Sequence, residues 1–423
     1  MMQSLYHPTP EQSLDQCIKC NICTTACPVA AVTDRFPGPK FSGPQAGRFR
    51  NINQSSPDQS VDYCSGCRVC NMVCPNGVKI AEINARARAN LVKQGKLPPI
   101  LRLRNNLVAR AELLGKLGQP VAPLANTFLS NHIARAALEK TFQISRHAPL
   151  PAFSTYRFTT WLKNHSHPQK ALRQVAYFHG CSTEYYEPHV GQATVRVLEK
   201  NGFEVIIPKQ NCCGLPLLSN GEFSAARKFH QNNVKYLLPF ARQNIPIVGS
   251  STSCVLTIKE EAPDLLDMTD SETLFVASHI FDINEFLLKL ADENTLNLDF
   301  HPIHANLPYH VPCQYKAHQI GSPGIDILKF IPNLITLDSQ SDCCGIAGTY
   351  GYKAEKHKIS QEVGQPLFRF VISSGAPLVI CDSETCRWQI KSETGIPAIH
   401  PIELLAASYA NESLESFNFL KTA

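Results

Sequence analysis

Two stretches of the chain, "CIKCNICTTACP" and "CSGCRVCNMVCP", share the pattern C-x-x-C-x-x-C-x-x-x-C-P. Three thiols at that spacing wrap one corner of a cubane iron–sulfur cluster, and the fourth, followed by proline, crosses to the neighbouring cluster. The expected ligand sets are Cys17, Cys20, Cys23 and Cys74 for one [4Fe-4S] cluster, and Cys64, Cys67, Cys70 and Cys27 for a second. Zinc knuckles are the competing reading, but zinc uses four ligands in two pairs, not two runs of four closed by proline. Neighbouring clusters act as stepping stones for single electrons, and the region offers no obvious site for making or breaking bonds.

A second group of cysteines betrays a duplication. Cys181, the adjacent pair Cys212 and Cys213, and Cys254 recur as Cys313, Cys343, Cys344 and Cys386, at offsets of 132, 131, 131 and 132 residues. The surroundings match as well: "VAYFHGC" with "LPYHVPC", "NCCGLPLLSNG" with "DCCGIAGTYG", and "IVGSSTSC" with "LVICDSETC". Such a period is too long for a solenoid and suits tandem domains. Buried cysteines are often simple small hydrophobes, but that role does not keep eight of them in register. Adjacent side chains on a flat strand point in opposite directions, so the pair needs a turn. Gly214 and Gly345, which tolerate backbone conformations closed to other residues, are placed to supply it. Histidines are less informative: His179 lies just before Cys181, and His279 and His400 sit at apparent strand-to-helix joins.

The elements that must position these thiols follow from periodicity. In the first copy "VAYF", "FEVIIP" and "IPIVGS" read as strands, alternating with helical patterns in "GQATVRVLEKNG" and "GEFSAARKFHQNNVKYLLPFARQ". The second copy repeats this with "NLPYHV", "NLITLD", a helix after Tyr352 and "PLVICD". Alternating strands and helices argue for a parallel sheet, with ligands at the strand ends. Between the two cysteine-rich regions, "LRLRNNLVARAELLGKLG" and "LANTFLSNHIARAALEKTF" have the 3.6-residue spacing of amphipathic helices. The expected fold is a multidomain α+β and α/β chain. A helical two-cluster ferredoxin-like domain occupies 1–98, a basic helical connector 99–170, and tandem α/β units 171–297 and 298–423.

Bulk composition narrows the setting. Of the 423 residues, 43% are hydrophobic and 18% charged, and no apolar run approaches the length of a membrane span. The N-terminal residues lack a secretory pattern, so a cytosolic location is expected, where seventeen cysteines favour metal or redox work over disulfides. From Lys79 to Arg146 there are twelve Lys or Arg against three Glu, which reads as a basic face for a partner or anionic lipid. Nucleic acid is not expected, because the basic residues lack interleaved aromatics. The 36 residues between Cys27 and Cys64 form an insertion expected to pack on a partner or on the next domain.

The paired units resemble CCG domains, the cysteine-rich domains shared by heterodisulfide reductase subunits and by iron–sulfur subunits of glycolate, lactate and glycerol-3-phosphate oxidising complexes. With two ferredoxin-type runs ahead of two such units, nearly the whole chain resembles the family of iron–sulfur (C) subunits of anaerobic glycerol-3-phosphate dehydrogenases. The family pattern closes each unit with C-x-x-C, whereas Ser251 and Ser383 occupy its first position here. Cys181, Cys212, Cys213 and Cys254 remain in the first unit, and Cys313, Cys343, Cys344 and Cys386 in the second. Cys381, which aligns with Gly249, gives the second unit a fifth thiol. Four thiols suit a further iron–sulfur cluster or a tetrahedral zinc, and redox-active thiols stay open as a third reading. The resemblance implies an electron-transfer subunit with no catalytic residues of its own. Its partners would be the two flavin-containing dehydrogenase subunits of the complex, its acceptor menaquinone, and its place the cytoplasmic face of the inner membrane, peripherally bound as part of an anchor. A member of a lactate or glycolate oxidase complex, or a thiol or quinone reductase like heterodisulfide reductase, is the alternative. No G-x-G-x-x-G follows a predicted strand, which assigns the flavin to a partner.

Overall fold

Each repeated unit is built on four parallel strands. In the first, β1 (Arg173–Phe178), β2 (Phe203–Ile206), β3 (Ile247–Gly249) and β4 (Ile280–Asp282) lie in the order β2-β1-β3-β4. In the second, β5 (Ala305–His310), β6 (Leu334–Asp338), β7 (Val379–Cys381) and β8 (Ala398–Ile399) lie in the order β6-β5-β7-β8. Residues Val175 to Phe178 are wholly buried, as a parallel strand covered on both faces must be. Phe178 is in register with Gly249, and His310 with Cys381. The computed structural model describes residues 9–50, 59–166 and 173–418. The expected join at 170 and 171, part of "KNHSHPQKA" and part of the insertion lie outside the described residues.

Helix α1 (Ile80–Lys93) follows the cysteine runs. The connector contains α2 (Pro99–Val108), α3 (Ala111–Gly118), α4 (Ala122–Ser130) and α5 (His132–Phe142). The first unit adds α6 (Gly180–Tyr185), α7 (Pro188–Lys200), α8 (Phe223–Arg242) and α9 (Thr252–Leu256). The second adds α10 (Cys313–His318), α11 (Ala354–Ser373), α12 (Glu384–Thr394) and α13 (Pro401–Ala410). Pro188 and Pro401 open α7 and α13, where the missing N–H costs nothing. These two helices pack together, and one hydrophobic core runs through both units, from Tyr177 and Leu198 to Tyr309 and Leu404.

Several expectations need correction. The two connector helices are four: the first is broken at Ala109 and Arg110, between α2 and α3, and the second at Asn131, which caps α5 by accepting from Ile133 N and Ala134 N. Strands β4 and β8, of three and two residues, escaped the periodicity reading, whereas β3 and β7, also of three residues, sit in longer β-branched runs. His279 ends a helix leading into β4, the reverse of the expected join, whereas His400 does follow β8 and caps α13 through Nδ1. The described part of the insertion packs inward, with Phe36 buried beside Cys27 and Cys64.

The basic face is also smaller than the charge count implied. Lys79 pairs with Asp264, Arg86 with Glu11 and Asp267, Arg88 with Asp62, and Arg104 with Glu355. These cations tie segments together instead of facing solvent. What the connector does present outward is apolar: Leu103, Leu107, Leu117, Leu124, Phe128 and Ile133 are exposed, Leu124 by 75%. Among the described residues no helix is long and apolar enough to cross a membrane.

The cysteine-run region docks on the second unit through Lys356, whose 1%-exposed side chain lies 2.5 Å from Asp62. Breaking a buried pair strands the remaining charge, at about 3–5 kcal/mol; Asp62 retains some solvent contact, so the lower end applies. Lys356→Met should therefore cost about 3 kcal/mol in denaturant unfolding, and the double variant with Asp62→Asn should recover part of it. Additive losses would mean that the pair is not coupled.

Candidate metal centres

Cys17, Cys20, Cys23 and Cys74 line one cavity, with Ile18, Val78 and Ile80 as its apolar wall. Cys27, Cys64, Cys67 and Cys70 line another, against Phe36 and Val69. The chain reaches this arrangement through tight turns. Lys19 and Gly66 occupy the same place in the two runs, and both have positive φ; glycine adopts it freely, while lysine accepts a small strain. Short helices Ile22–Thr25 and Val69–Met72 then carry the third cysteine of each run.

The residues present fit iron–sulfur clusters. Each cavity gathers four thiols, and N–H groups point at sulfur: Val78 N at 3.4 Å from Cys74, Ala30 N at 3.5 Å from Cys27, and Asn84 Nδ2 at 3.8 Å from Cys64. Such bonds, with burial, tune cluster potentials. Burial pushes the Cys27 thiol up to about 11 and raises Cys23, Cys67 and Cys70 as well. A set of thiolates in these pockets is stable only beside a strong local positive charge, which a metal centre supplies.

The thiol sets adjoin one another. Cys23 and Cys70 share one buried cluster, with Cys17 and Cys74 packed against it. Cys27 and Cys64 share another with Cys313 and Cys343 of the second unit, and Cys67 packs against that one. Cys67 and Cys313 also line a common cavity. Arg68 holds the crossing point with ion pairs to Glu82, Glu260 and Glu261, at 3.1, 3.5 and 3.7 Å.

In the repeated units every cysteine lies at, or just beyond, the carboxyl end of a strand. In the first, Cys181 opens α6, the pair follows β2 and Cys254 is in α9. The Sγ atoms of Cys181 and Cys212 are 3.6 Å apart, and Cys213 hydrogen-bonds Cys254. Hydrogen bonds from Cys181 and Cys213 hold Cys212 well below the usual thiol range. The pair thus bridges the two single cysteines in a row. The loop is held by Asn233, whose Oδ1 accepts from Asn211 N, and by Glu112 of α3, whose Oε2 accepts from Cys212 N. An open cavity of about 290 Å³ beside Cys181 and Cys212 is lined by Glu112, Lys116, His179 and Glu184.

The second unit repeats the row. Cys343 hydrogen-bonds Cys313, Cys344 lies 2.9 Å from Cys386, and Cys381 at the end of β7 hydrogen-bonds Cys386. His310, one strand away, brings a ring nitrogen within 4.8 Å of both Cys344 and Cys386. Sequence reading passed over His310 and Glu112; aligning "VAYFHGC" with "LPYHVPC" opposes His310 to Phe178 and could have flagged the first. Ser251, standing where the family has a cysteine, caps α9 by accepting from Cys254 N and donates to Glu384 across the unit boundary, at 3.0 Å. His179 Nδ1 donates locally, to Gly180 O at 2.8 Å.

Comparison with known proteins follows the same division. The family described as a 4Fe-4S dicluster domain matches residues 13–78, and the cysteine-rich domain CCG matches 175–259 and 307–391. The chain is 38% identical over 403 residues to the C subunit of anaerobic glycerol-3-phosphate dehydrogenase of Escherichia coli (strain K12), covering 95% of this chain and 100% of that protein. It is 26% identical over 253 residues to the B subunit of fumarate reductase (CoM/CoB) of Methanothermobacter marburgensis, covering 56% and 47%. It is 26% identical over 257 residues to lactate utilization protein A of Exiguobacterium sp., covering 58% and 99%.

The glycines that follow the cysteine pairs both have φ +88, but their surroundings differ. A Cβ on Gly214 would meet nothing closer than 3.5 Å, whereas one on Gly345 would fall 1.9 Å from Ser360 O. Gly214→Ala should cost about 1–2 kcal/mol of backbone strain. Gly345→Ala adds a backbone clash and should cost at least about 3 kcal/mol, read as the difference in unfolding midpoints. Equal losses would mean that backbone conformation alone sets the requirement.

Proposed function

The chain belongs to the family of anaerobic glycerol-3-phosphate dehydrogenase C subunits, and from that premise we propose that it is the electron-transfer member of such a complex. Flavin-containing dehydrogenase subunits oxidise sn-glycerol 3-phosphate, and this chain carries the electrons to menaquinone at the membrane. The observation that carries the reading is the unbroken line of thiol sets, from Cys17, Cys20, Cys23 and Cys74, through Cys27, Cys64, Cys67 and Cys70, to Cys313 and Cys343. [4Fe-4S] clusters, when bound by the two ferredoxin-type sets, supply reversible one-electron redox chemistry. The protein's own part is to fix the spacing, exclude water and direct N–H groups at sulfur.

Helix α3 supports both the acceptor and the membrane in this reading. On one side Glu112 and Lys116 line the open cavity beside Cys181 and Cys212, a place where a quinone headgroup could meet the first CCG unit. Next to them Leu113 and Leu117 are exposed, as are Leu103 and Leu107 of α2 and Leu124 and Phe128 of α4. Lys93, Lys96, Arg102, Lys140 and Arg146, from the same region of the chain, are exposed as well. Apolar side chains rimmed by cations are the composition of a helix lying on anionic lipid, which favours peripheral attachment at the cytoplasmic surface.

Cys212→Ser and Cys343→Ser should each abolish reduction of a menaquinone analogue by the reconstituted complex, while EPR of the dithionite-reduced chain still displays the two ferredoxin-type clusters. Quinone reduction at the parent rate would make the pairs structural, and absence of any cubane signal from the parent would end the relay reading. Leu117→Asp together with Leu124→Asp should weaken binding to phosphatidylglycerol vesicles at least about tenfold. Undiminished co-sedimentation would remove the connector from the membrane.

A further inference from the structure

The two repeated units differ at two positions that face each other. Where the first has Phe178 and Gly249 in register on neighbouring strands, the second has His310 and Cys381. Both changes introduce metal donors, and both fall at the carboxyl ends of parallel strands, beside the cysteine pair. His310 is completely buried, and a ring nitrogen hydrogen-bonds Cys386. A thiol is only a weak partner for so deeply buried a nitrogen, whereas a cation would satisfy the ring nitrogen and the sulfur together. Its other nitrogen, Nδ1, lies 3.4 Å from Ser339 Oγ, the kind of outer partner that fixes the tautomer of a metal-bound histidine.

We propose that the second unit holds a single divalent ion of the zinc class on His310 Nε2, Cys344, Cys386 and Cys381. The first three donor atoms already lie within 4.8 Å of one another, and Cys381 is the cross-strand neighbour of His310 and a hydrogen-bond partner of Cys386. A tetrahedral ion with sulfur at about 2.3 Å and nitrogen at about 2.0–2.1 Å fits inside that envelope. A cubane carries one thiolate on each of four irons and spaces them further apart. All four donors are buried, which leaves no open position and marks the site as structural. The assignment leaves Cys313 and Cys343, the thiols packed against the ferredoxin-type set, outside the zinc shell. It goes beyond the relay reading, and it needs no quinone or partner subunit to be true.

The test uses the full chain purified anaerobically, with iron and zinc measured per chain and the zinc K-edge absorption fitted. The expected result is about one zinc with a mixed nitrogen and sulfur shell, beside about eight irons for the two clusters. His310→Phe, which copies the first unit, and Cys386→Ser should each lose most of the zinc while the EPR of the reduced clusters is unchanged. His310→Cys should keep zinc and convert the shell to sulfur only, which guards against a variant that merely misfolds. Absence of zinc from the parent overturns the proposal, whether or not iron exceeds eight. So does a shell that is the same in the parent and in His310→Cys. Missing cubane signals with zinc intact would instead count against the relay alone.

Discussion

A thiolate in a dry protein interior is unstable unless positive charge or hydrogen bonding compensates it, and the architecture of this chain is organised around that constraint. Twelve of its seventeen cysteines are buried. In the ferredoxin-type region they gather four to a cavity, where burial favours the neutral thiol and a metal is needed to hold thiolates together. In the repeated units they form rows in which neighbouring thiols hydrogen-bond a central sulfur, as Cys181 and Cys213 do for Cys212 and so favour its charged form. Parallel sheets suit this chemistry because all their strands end at one edge, so loops distant in sequence deliver side chains to one place.

The relative placement of the thiol sets depends on a few low-solvent ion pairs. Arg68 links the second cysteine run to Glu260 and Glu261 of the first repeated unit, Lys356 links Asp62 to the second, and Arg104 links the connector to Glu355. Arg387 and Glu187, both nearly buried, join the two repeated units, and Trp388 Nε1 donates to the same carboxylate at 2.9 Å. Once desolvated, such pairs are more expensive to break than they are valuable to form. They hold the thiol sets in a fixed relation without occupying the space between them.

Duplication supplied two copies of one scaffold, and a few substitutions made them chemically unequal. The first unit opens through Cys181 and Cys212 to a cavity shared with α3. The second is closed, faces the ferredoxin-type thiols and carries His310 and Cys381. The connector wraps across this asymmetry with an inverted pattern, burying Arg104 while leaving Leu117 and Leu124 in the open. A helix normally turns its apolar stripe toward the core, so periodicity alone assigns that face to the wrong side.

Much of the site was legible before any coordinates. Cysteine spacing depends on local chain geometry, which is why the two runs, the duplication and the strand-end location of each pair could be read directly. Longer strands and helices were readable for the same reason: a regular period repeats often enough to be seen. Strands β4 and β8 lack the longer β-branched runs that made β3 and β7 readable, and the breaks between α2, α3, α4 and α5 interrupt a near-continuous pattern, the last of them at the Asn131 cap. His310 and Glu112 went unnoticed because their partners are strands or domains away. Sequence by itself determined which residues can bind metal and in what local groups, since spacing along a chain limits what neighbouring side chains can reach. Only the tertiary structure decided which groups adjoin, which cations are spent as tethers and which apolar face stays open. Those outcomes depend on contacts between residues separated by a hundred positions or more, and local pattern carries no record of them.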